Sequence, residues 1–163
     1  MSSCYCGFSL PFYICCQPFI NGIKFADTAE QLMRSRYSAF ATKASDYLFN
    51  STAIASQINN SQEVIKEWAE HTQWLRLTIE KADAITLTDY TPNTEASVQF
   101  TALYMYQKRL YQLTERSVFI VEDNQWKYLS GNILVDSQLT MPKRNEQCPC
   151  GSSKKFKSCC ACR

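Results

Sequence analysis

The pattern C-x-C-G-x7-C-C occurs twice in this chain, once near each end. The first copy runs from Cys4 to Cys16 and the second from Cys148 to Cys160. Eight of the nine cysteines belong to these copies, and residues 17–147 contain none. A tight turn that joins two thiols, followed by a short return segment with two more, supplies the four ligands of one tetrahedral metal ion. The spacing therefore predicts a metal site at each end.

The composition is that of a single globular core. The chain has 163 residues, of which 45% are hydrophobic and 20% charged, so one core is expected and extensive disorder is not. Residues 1–4 carry no basic region followed by an apolar core, which argues against a secretory signal. No apolar run approaches the roughly 20 residues that span a bilayer. We therefore expect a cytoplasmic protein, in which reduced thiols bind metal rather than form disulfides.

Zinc is the ion that we expect, with two ions per chain. Four thiolates at about 2.3 Å fill its coordination shell and leave no position for a substrate, so such a site stabilises local structure. Adventitious thiol clusters, disulfides and an iron–sulfur cluster are the alternatives. Cys162 lies outside both patterns and is not expected to be a ligand. The predicted ligands are Cys4, Cys6, Cys15, Cys16, Cys148, Cys150, Cys159 and Cys160.

Helical periodicity dominates the first part of the middle segment. Apolar residues recur at helical spacing from Thr28 to Phe49, which predicts one long helix capped by Asp27 or Thr28. A second helix is predicted to begin at the cap residue Ser61 and to turn four side chains inward, namely Val64, Ile65, Trp68 and Ala69.

The pattern changes to strand-like alternation from Trp74 onwards. Strands are predicted over residues 74–80, 84–88, 96–106, 111–121 and 126–129, with a hairpin turn at residues 122–125. Helices followed by antiparallel strands indicate an α+β domain with a curved sheet wrapped around the helices. The predicted divisions are an N-terminal knuckle at residues 1–24, a central domain at residues 25–136, and a linker with a C-terminal knuckle at residues 137–163.

The two cysteine blocks differ in charge. Residues 141–163 carry six cationic side chains and one carboxylate, whereas residues 1–21 carry no charged side chain. A basic segment of this kind is either a solvated end of the chain or a surface that attracts an acidic protein or RNA.

Four polar residues of the middle segment could line a pocket. They are Arg34, Tyr37, Glu115 and His71, the only histidine. A histidine can act as a general acid or base near neutral pH. However, nothing in the sequence spaces a nucleophile, a base and an oxyanion donor together, so no catalytic residue is predicted.

The C-terminal block, Cys148-Pro149-Cys150-Gly151 through Cys159-Cys160, closely resembles the SEC-C motif. This zinc-binding element is named for the C-terminus of the preprotein-translocase ATPase SecA, where it usually ends in Cys-His rather than Cys-Cys. With the motif at both ends, and with residues 32–40, 71–75 and 115–117 between them, the whole chain is similar to the bacterial YchJ-like family. That resemblance implies a nuclear-transport-factor-2-like (NTF2-like, or cystatin-like) cone flanked by two small zinc knuckles. It implies no established activity.

Two functions are compatible with these features. The first is a non-enzymatic zinc-binding adaptor whose C-terminal knuckle uses Lys154, Lys155 and Lys157 to contact a protein partner, or the ribosome or another RNA. The SEC-C motif of SecA contacts a chaperone and the ribosome, which supports this hypothesis by analogy only. The second is a cone domain whose pocket binds or converts a small molecule.

Overall fold

The computed structural model describes residues 3–162, in which helices come first and strands follow. This order confirms the predicted α+β class. The helices are α1 Gln17–Ile20, α2 Ala29–Thr42, α3 Ser45–Asn50, α4 Ile54–Gln57 and α5 Gln62–His71. The strands are β1 Thr72–Ala82, β2 Glu95–Tyr106, β3 Arg109–Glu122 and β4 Gln125–Leu139. Two short 3-10 turns, Phe156–Ser158 and Cys160–Cys162, end the described chain.

Helix α2 begins where the sequence predicts. The Thr28 hydroxyl accepts a hydrogen bond from the Gln31 backbone N–H at 3.2 Å, and the Gln31 side chain accepts one from the Asp27 N–H at 2.8 Å. This reciprocal arrangement satisfies backbone donors that the first turn of a helix leaves unpaired.

The prediction of one helix from Thr28 to Phe49 is wrong, because the helix is interrupted at Lys43. Lys43 adopts a left-handed conformation with φ 61°, and its N–H bonds back to Ala39 and Phe40. Helix α3 then starts at Ser45, so the apolar stripe of the sequence runs across a break between two helices.

The predicted start of α5 is confirmed, since the Ser61 side chain caps it by accepting from the Val64 N–H at 3.4 Å. Ile65 and Ala69 are buried as predicted. Val64 is 58% exposed, which contradicts its predicted inward position. At about 100° per residue, Val64 lies just beyond the inward-facing stripe formed by Ile65, Trp68 and Ala69.

The four strands form one antiparallel sheet in the order β1-β2-β3-β4. Two-residue turns at 107–108 and 123–124, each with positive φ at both positions, join β2 to β3 and β3 to β4. Such turns match the right-handed twist of the flanking strands. The predicted hairpin at residues 122–125 is therefore confirmed. Strand β4 continues to Leu139 and includes the first three residues of the predicted linker.

The strand predicted over residues 84–88 is wrong. Its strand-like pairing is limited to one isolated bridge, between Thr86 and Thr28. The Leu87 N–H and the Trp126 indole N–H both donate to the Asp27 carbonyl oxygen at 3.0 Å. This segment therefore holds the start of α2 against the end of the sheet instead of extending the sheet.

The main core lies between α2 and the inner face of the sheet. Tyr37, Val98 and Phe119 are almost fully buried there. Three cysteines of the N-terminal block belong to the same core, so the block is part of the domain. No helix among residues 3–162 is long and apolar enough to cross a membrane.

We expect Lys43→Gly to stabilise the protein. A left-handed conformation is costly for a residue with a Cβ atom and easy for glycine, so the gain should be about 0.5 kcal/mol after the entropy that glycine adds to the unfolded state. Urea denaturation measures the change. As a control, Lys66→Gly in the exposed interior of α5 should cost about 1 kcal/mol. Equal losses from both changes would contradict this account of the helix break.

Candidate metal centres

The N-terminal cysteine block gathers four sulfur atoms at one point. The Sγ atoms of Cys4, Cys6, Cys15 and Cys16 all lie within 4.8 Å of one another. The Cys6–Cys15 distance is 3.6 Å and the Cys15–Cys16 distance is 3.8 Å.

The C-terminal block does the same with Cys148, Cys150, Cys159 and Cys160, whose Sγ atoms also lie within 4.8 Å of one another. The Cys150–Cys159 distance is 3.5 Å and the Cys159–Cys160 distance is 3.9 Å. The exposed Cys162 lies outside this group, and its thiol donates to the Lys157 carbonyl oxygen at 2.7 Å.

These distances are those of thiolates that share one ion. Four sulfurs at about 2.3 Å from a tetrahedral centre lie roughly 3.8 Å apart. Sulfurs in a disulfide are bonded at about 2.05 Å, and all nine cysteines are free. Each quartet therefore fits a single tetrahedral metal ion, and the donor set favours a thiophilic one.

The two blocks also fold alike, which makes them a structural as well as a sequence repeat. The Cys4 N–H donates to Leu10 O at 2.8 Å, and in the second block the Cys148 N–H donates to Lys154 O at the same distance. The N–H of the glycine that follows each C-x-C donates to the first cysteine carbonyl at 3.2 Å in both blocks. These turns hold the paired thiols on the same side of the backbone.

Glycine is required in both turns. Gly7 has φ 90° and Gly151 has φ 82°, a region that residues with a Cβ atom rarely adopt. At Gly7 a Cβ atom would also come within 3.4 Å of the Leu77 carbonyl oxygen. The glycine of C-x-C-G therefore has a conformational cause in each copy.

The N-terminal knuckle, residues 3–16, is fixed to the main core by polar contacts from α2. The Arg34 Nη1 donates to the Cys6 carbonyl oxygen at 2.9 Å, and its guanidinium carbon lies 4.0 Å from the centre of the Phe8 ring. Glu30 holds the same guanidinium from the other side at 2.8 Å. The Ser38 hydroxyl lies 3.6 Å from the Cys4 sulfur. Sequence reasoning missed these contacts, although the spacing of four between Arg34 and Ser38 puts them on one helix face.

The C-terminal knuckle, residues 147–162, has its own small core. Cys148, Phe156, Cys159 and Cys160 are buried together and pack against Leu75, Met105 and Met141. Leu75 is free to do so because the β1–β2 register shifts between Trp74 and Arg76. The shift lets Trp74 and Leu77 both face the helices while Leu75 faces the knuckle. Gln73 adds a hydrogen bond to the Cys160 carbonyl oxygen at 3.4 Å.

Electrostatics in the clusters oppose a metal-free state with several thiolates. Burial and the negative charge of Cys6 raise the pKa of the Cys15 thiol to about 12. At Cys150 burial opposes ionisation, but hydrogen bonds from Ser152 and neighbouring groups outweigh it and lower the pKa to about 7. A divalent cation would reduce the mutual repulsion of the thiolates and displace their protons.

The four polar residues that the sequence suggested as lining a pocket do not form one site. Arg34 lies on α2 and contacts the N-terminal knuckle. His71 is exposed, and its Nδ1 is hydrogen-bonded to the Glu67 carbonyl oxygen at 2.8 Å. Tyr37 and Glu115 do line a common cavity inside the cone. The structure therefore provides a carboxylate facing the cavity but no histidine.

Comparison with known proteins agrees with the fold and with the cysteine clusters. The model of the YchJ middle NTF2-like domain matches residues 28–131. The chain belongs to the YchJ-like family. The SEC-C motif matches residues 144–161, which include the C-terminal quartet. The predicted NTF2-like fold with cysteine knuckles at both ends is therefore confirmed.

Relatives of the YchJ-like chain carry the name UPF0225 protein. One from Photorhabdus laumondii is 40% identical over 96% of this chain and 97% of its own length. One from Vibrio cholerae is 37% identical over 97% of this chain and 99% of its own. These relatives are bacterial, and each match covers nearly all of both sequences.

Two solved structures of SEC-C motif proteins are similar. RPA3114 from Rhodopseudomonas palustris, a solution structure, has a TM-score of 0.71 and 25% identity, and the match covers 82% of this chain and 100% of that one. A crystal structure from Psychrobacter arcticus has a TM-score of 0.67 and 28% identity, and covers 99% of this chain and 97% of that one.

Cys4→Ser and Cys148→Ser are a matched pair, because the two residues occupy equivalent positions and are each 4% exposed. We expect each change to remove one bound ion. Cys4→Ser should also lower the Tm of the main domain by roughly 10 °C, because its sulfur belongs to the main core and each kcal/mol lost costs roughly 2–4 °C at this chain length. Cys148→Ser should leave that Tm within a few degrees of the original. Metal analysis and calorimetry measure both effects, and equal Tm losses would contradict the unequal roles of the two knuckles.

Proposed function

We propose that this protein is a cytoplasmic zinc-binding interaction protein without enzymatic activity. In this proposal two zinc ions hold the two knuckles, and the C-terminal knuckle binds an acidic surface on a partner protein. The observation that carries the proposal is the pair of four-sulfur clusters, one of which holds a compact set of exposed lysines in place.

Zinc is favoured over other ions by the donor set. A tetrahedral site of four thiolates suits zinc or iron, and zinc is the usual ion in closed structural sites of this kind. An iron–sulfur cluster distributes its thiolates over several iron atoms, whereas the sulfurs here are as close as one ion requires. Zinc would offset half of the charge of the four thiolates and fix the chain ends, with no coordination position left for a substrate.

The surfaces of the two knuckles suit different contacts. The N-terminal knuckle exposes aromatic and aliphatic side chains and carries no charge in residues 3–16. The C-terminal knuckle exposes Lys154, Lys155 and Lys157 around a buried metal cluster. A cationic surface held rigid by a metal loses little entropy when it meets an anionic partner, and charge attraction speeds the encounter.

An acidic protein is a better partner for the lysines than RNA. Binding of single-stranded nucleic acid usually combines cations with exposed aromatic side chains on which bases stack. The aromatic residue among the lysines, Phe156, is 6% exposed and belongs to the knuckle core. Ribosomal RNA, bound through its phosphates alone, is the alternative partner.

The proposal predicts that charge reversal at the C-terminal knuckle abolishes partner capture. Zinc-loaded protein with Lys154, Lys155 and Lys157 changed to glutamate should recover at least tenfold less partner from a lysate at low salt, because three attractions become repulsions. A control variant reverses three exposed lysines elsewhere, Lys24, Lys66 and Lys81, and should retain its partner.

Nuclease treatment of the lysate separates the two partner classes. Recovery that survives nuclease and fails in the knuckle variant supports an acidic protein, whereas recovery lost on nuclease treatment indicates RNA instead. Equal recovery by the knuckle variant and the unaltered protein at low salt would refute the proposed contact surface.

A further inference from the structure

A cavity of about 140 Å³ lies inside the cone, between α2, α5 and the inner face of the sheet. Aromatic residues are the largest group in its wall, namely Tyr37, Phe40, Trp68, Trp74, Phe100 and Tyr128. Two charged residues also line it, Arg36 from α2 and Glu115 from β3. Neither is a predicted metal ligand, and the knuckles do not use the cavity.

Arg36 is held rigidly with part of its guanidinium unused. The residue is 6% exposed. Its Nη1 donates to Leu48 O at 2.8 Å and to the Ser51 hydroxyl at 2.6 Å, and its guanidinium carbon lies 4.7 Å from the centre of the Tyr128 ring. Among residues 3–162, no carboxylate lies within ion-pair distance of Arg36, and its Nε and Nη2 have no hydrogen-bond acceptor. Burial lowers its pKa to about 10, which leaves it charged at neutral pH.

The Glu115 carboxylate is held in a defined position by its neighbours. The Ser117 hydroxyl donates to its Oε1 at 2.6 Å. On the neighbouring strand stands Gly131, where a Cβ atom would lie 2.1 Å from that Oε1 and 2.9 Å from the Tyr128 hydroxyl oxygen. Any other residue at position 131 would displace the carboxylate. The glycine and the serine together fix it in the cavity.

A buried cation and a fixed anion thus share one mostly apolar cavity without pairing directly. Groups of this kind are costly to desolvate unless each finds a partner. A ligand with an acceptor for Arg36 and a cationic donor for Glu115 would satisfy both. A simple anion would face Glu115, and a simple amine would face Arg36, so each would meet repulsion.

We propose that the cavity binds a small zwitterion, an α-amino acid with an apolar side chain. Its carboxylate lies against the free edge of Arg36, its ammonium group against Glu115, and its side chain against the aromatic wall. Carboxylate and guanidinium form charge-assisted, bidentate hydrogen bonds, and aromatic faces suit both the aliphatic chain and the ammonium group. A cavity of about 150 Å³ holds benzene, so roughly six to nine non-hydrogen atoms fit.

L-Leucine and two truncated analogues test the proposal on the full metal-loaded chain. 4-Methylpentanoate lacks the amine and 3-methylbutylamine lacks the carboxylate. Calorimetry should show leucine binding at least tenfold more tightly than either analogue, since a hydrogen bond between charged groups contributes about that much. Trp68 and Trp74 line the cavity, so leucine should also change the tryptophan fluorescence.

Glu115→Gln should weaken leucine binding tenfold or more and abolish the preference for leucine over 4-methylpentanoate. Glu95→Gln, at the exposed start of β2, should change neither. If Glu115→Gln does not fold, Ser117→Ala provides a second test. This change keeps the carboxylate but removes the hydrogen bond that holds it, so leucine binding should weaken severalfold.

Absence of saturable leucine binding, or unchanged binding in the Glu115 or Ser117 variants, would overturn the proposal. Tighter binding of 4-methylpentanoate than of leucine would do the same, because it would assign the site to a simple anion. None of these outcomes affects the zinc sites or the lysine surface, so the two proposals fail separately.

Discussion

The four-sulfur cluster at the N-terminus is the interaction on which the arrangement of the domain depends. Cys4, Cys6 and Cys16 are nearly inaccessible to solvent and lie among the side chains of α2 and the sheet. Four thiolates could not be placed in such surroundings without a cation, because their desolvation and mutual repulsion would be too costly. A divalent metal ion would offset half of that charge and hold the four sulfurs in one compact unit. With such an ion the cluster could lie in the main core, where three of its cysteines are buried.

Helix α2 connects this cluster to the rest of the molecule. One of its faces carries Arg34 and Ser38, which contact the N-terminal knuckle. Another carries Arg36 and Phe40, which line the cavity in the cone. A single helix therefore positions both the metal cluster and the cavity wall, and its start is fixed through Asp27 to the end of the sheet.

The features that the sequence predicted well are those with local causes. The cysteine quartets follow from C-x-C-G spacing, the helix starts from the caps Thr28 and Ser61, and the hairpin from residues 122–125. The break between α2 and α3 depends on the left-handed conformation of Lys43. Apolar residues keep their helical spacing on both sides of Lys43, so periodicity alone could not reveal the break. The segment at residues 84–88 has strand-like alternation, yet its backbone is used to hold α2.

The features that could not be predicted from the sequence depend on residues far apart in the chain. The two knuckles share a pattern, but only the first is inserted into the main core, because Arg34 and Ser38 lie on a helix that packs beside it. The position of the Glu115 carboxylate depends on Gly131, which lies on the neighbouring strand opposite Ser117. Local spacing can place Arg34 and Ser38 on one helix face, but it cannot show which distant segment packs against that face.

X-ray absorption at the zinc edge tests the central claim most directly, since it reports both the identity of the metal and the atoms bound to it. For the purified, fully loaded protein we expect two zinc ions per chain, each with four sulfur ligands at about 2.3 Å and no nitrogen or oxygen ligand. Iron in place of zinc, or a shell with fewer than four sulfurs, would contradict the account.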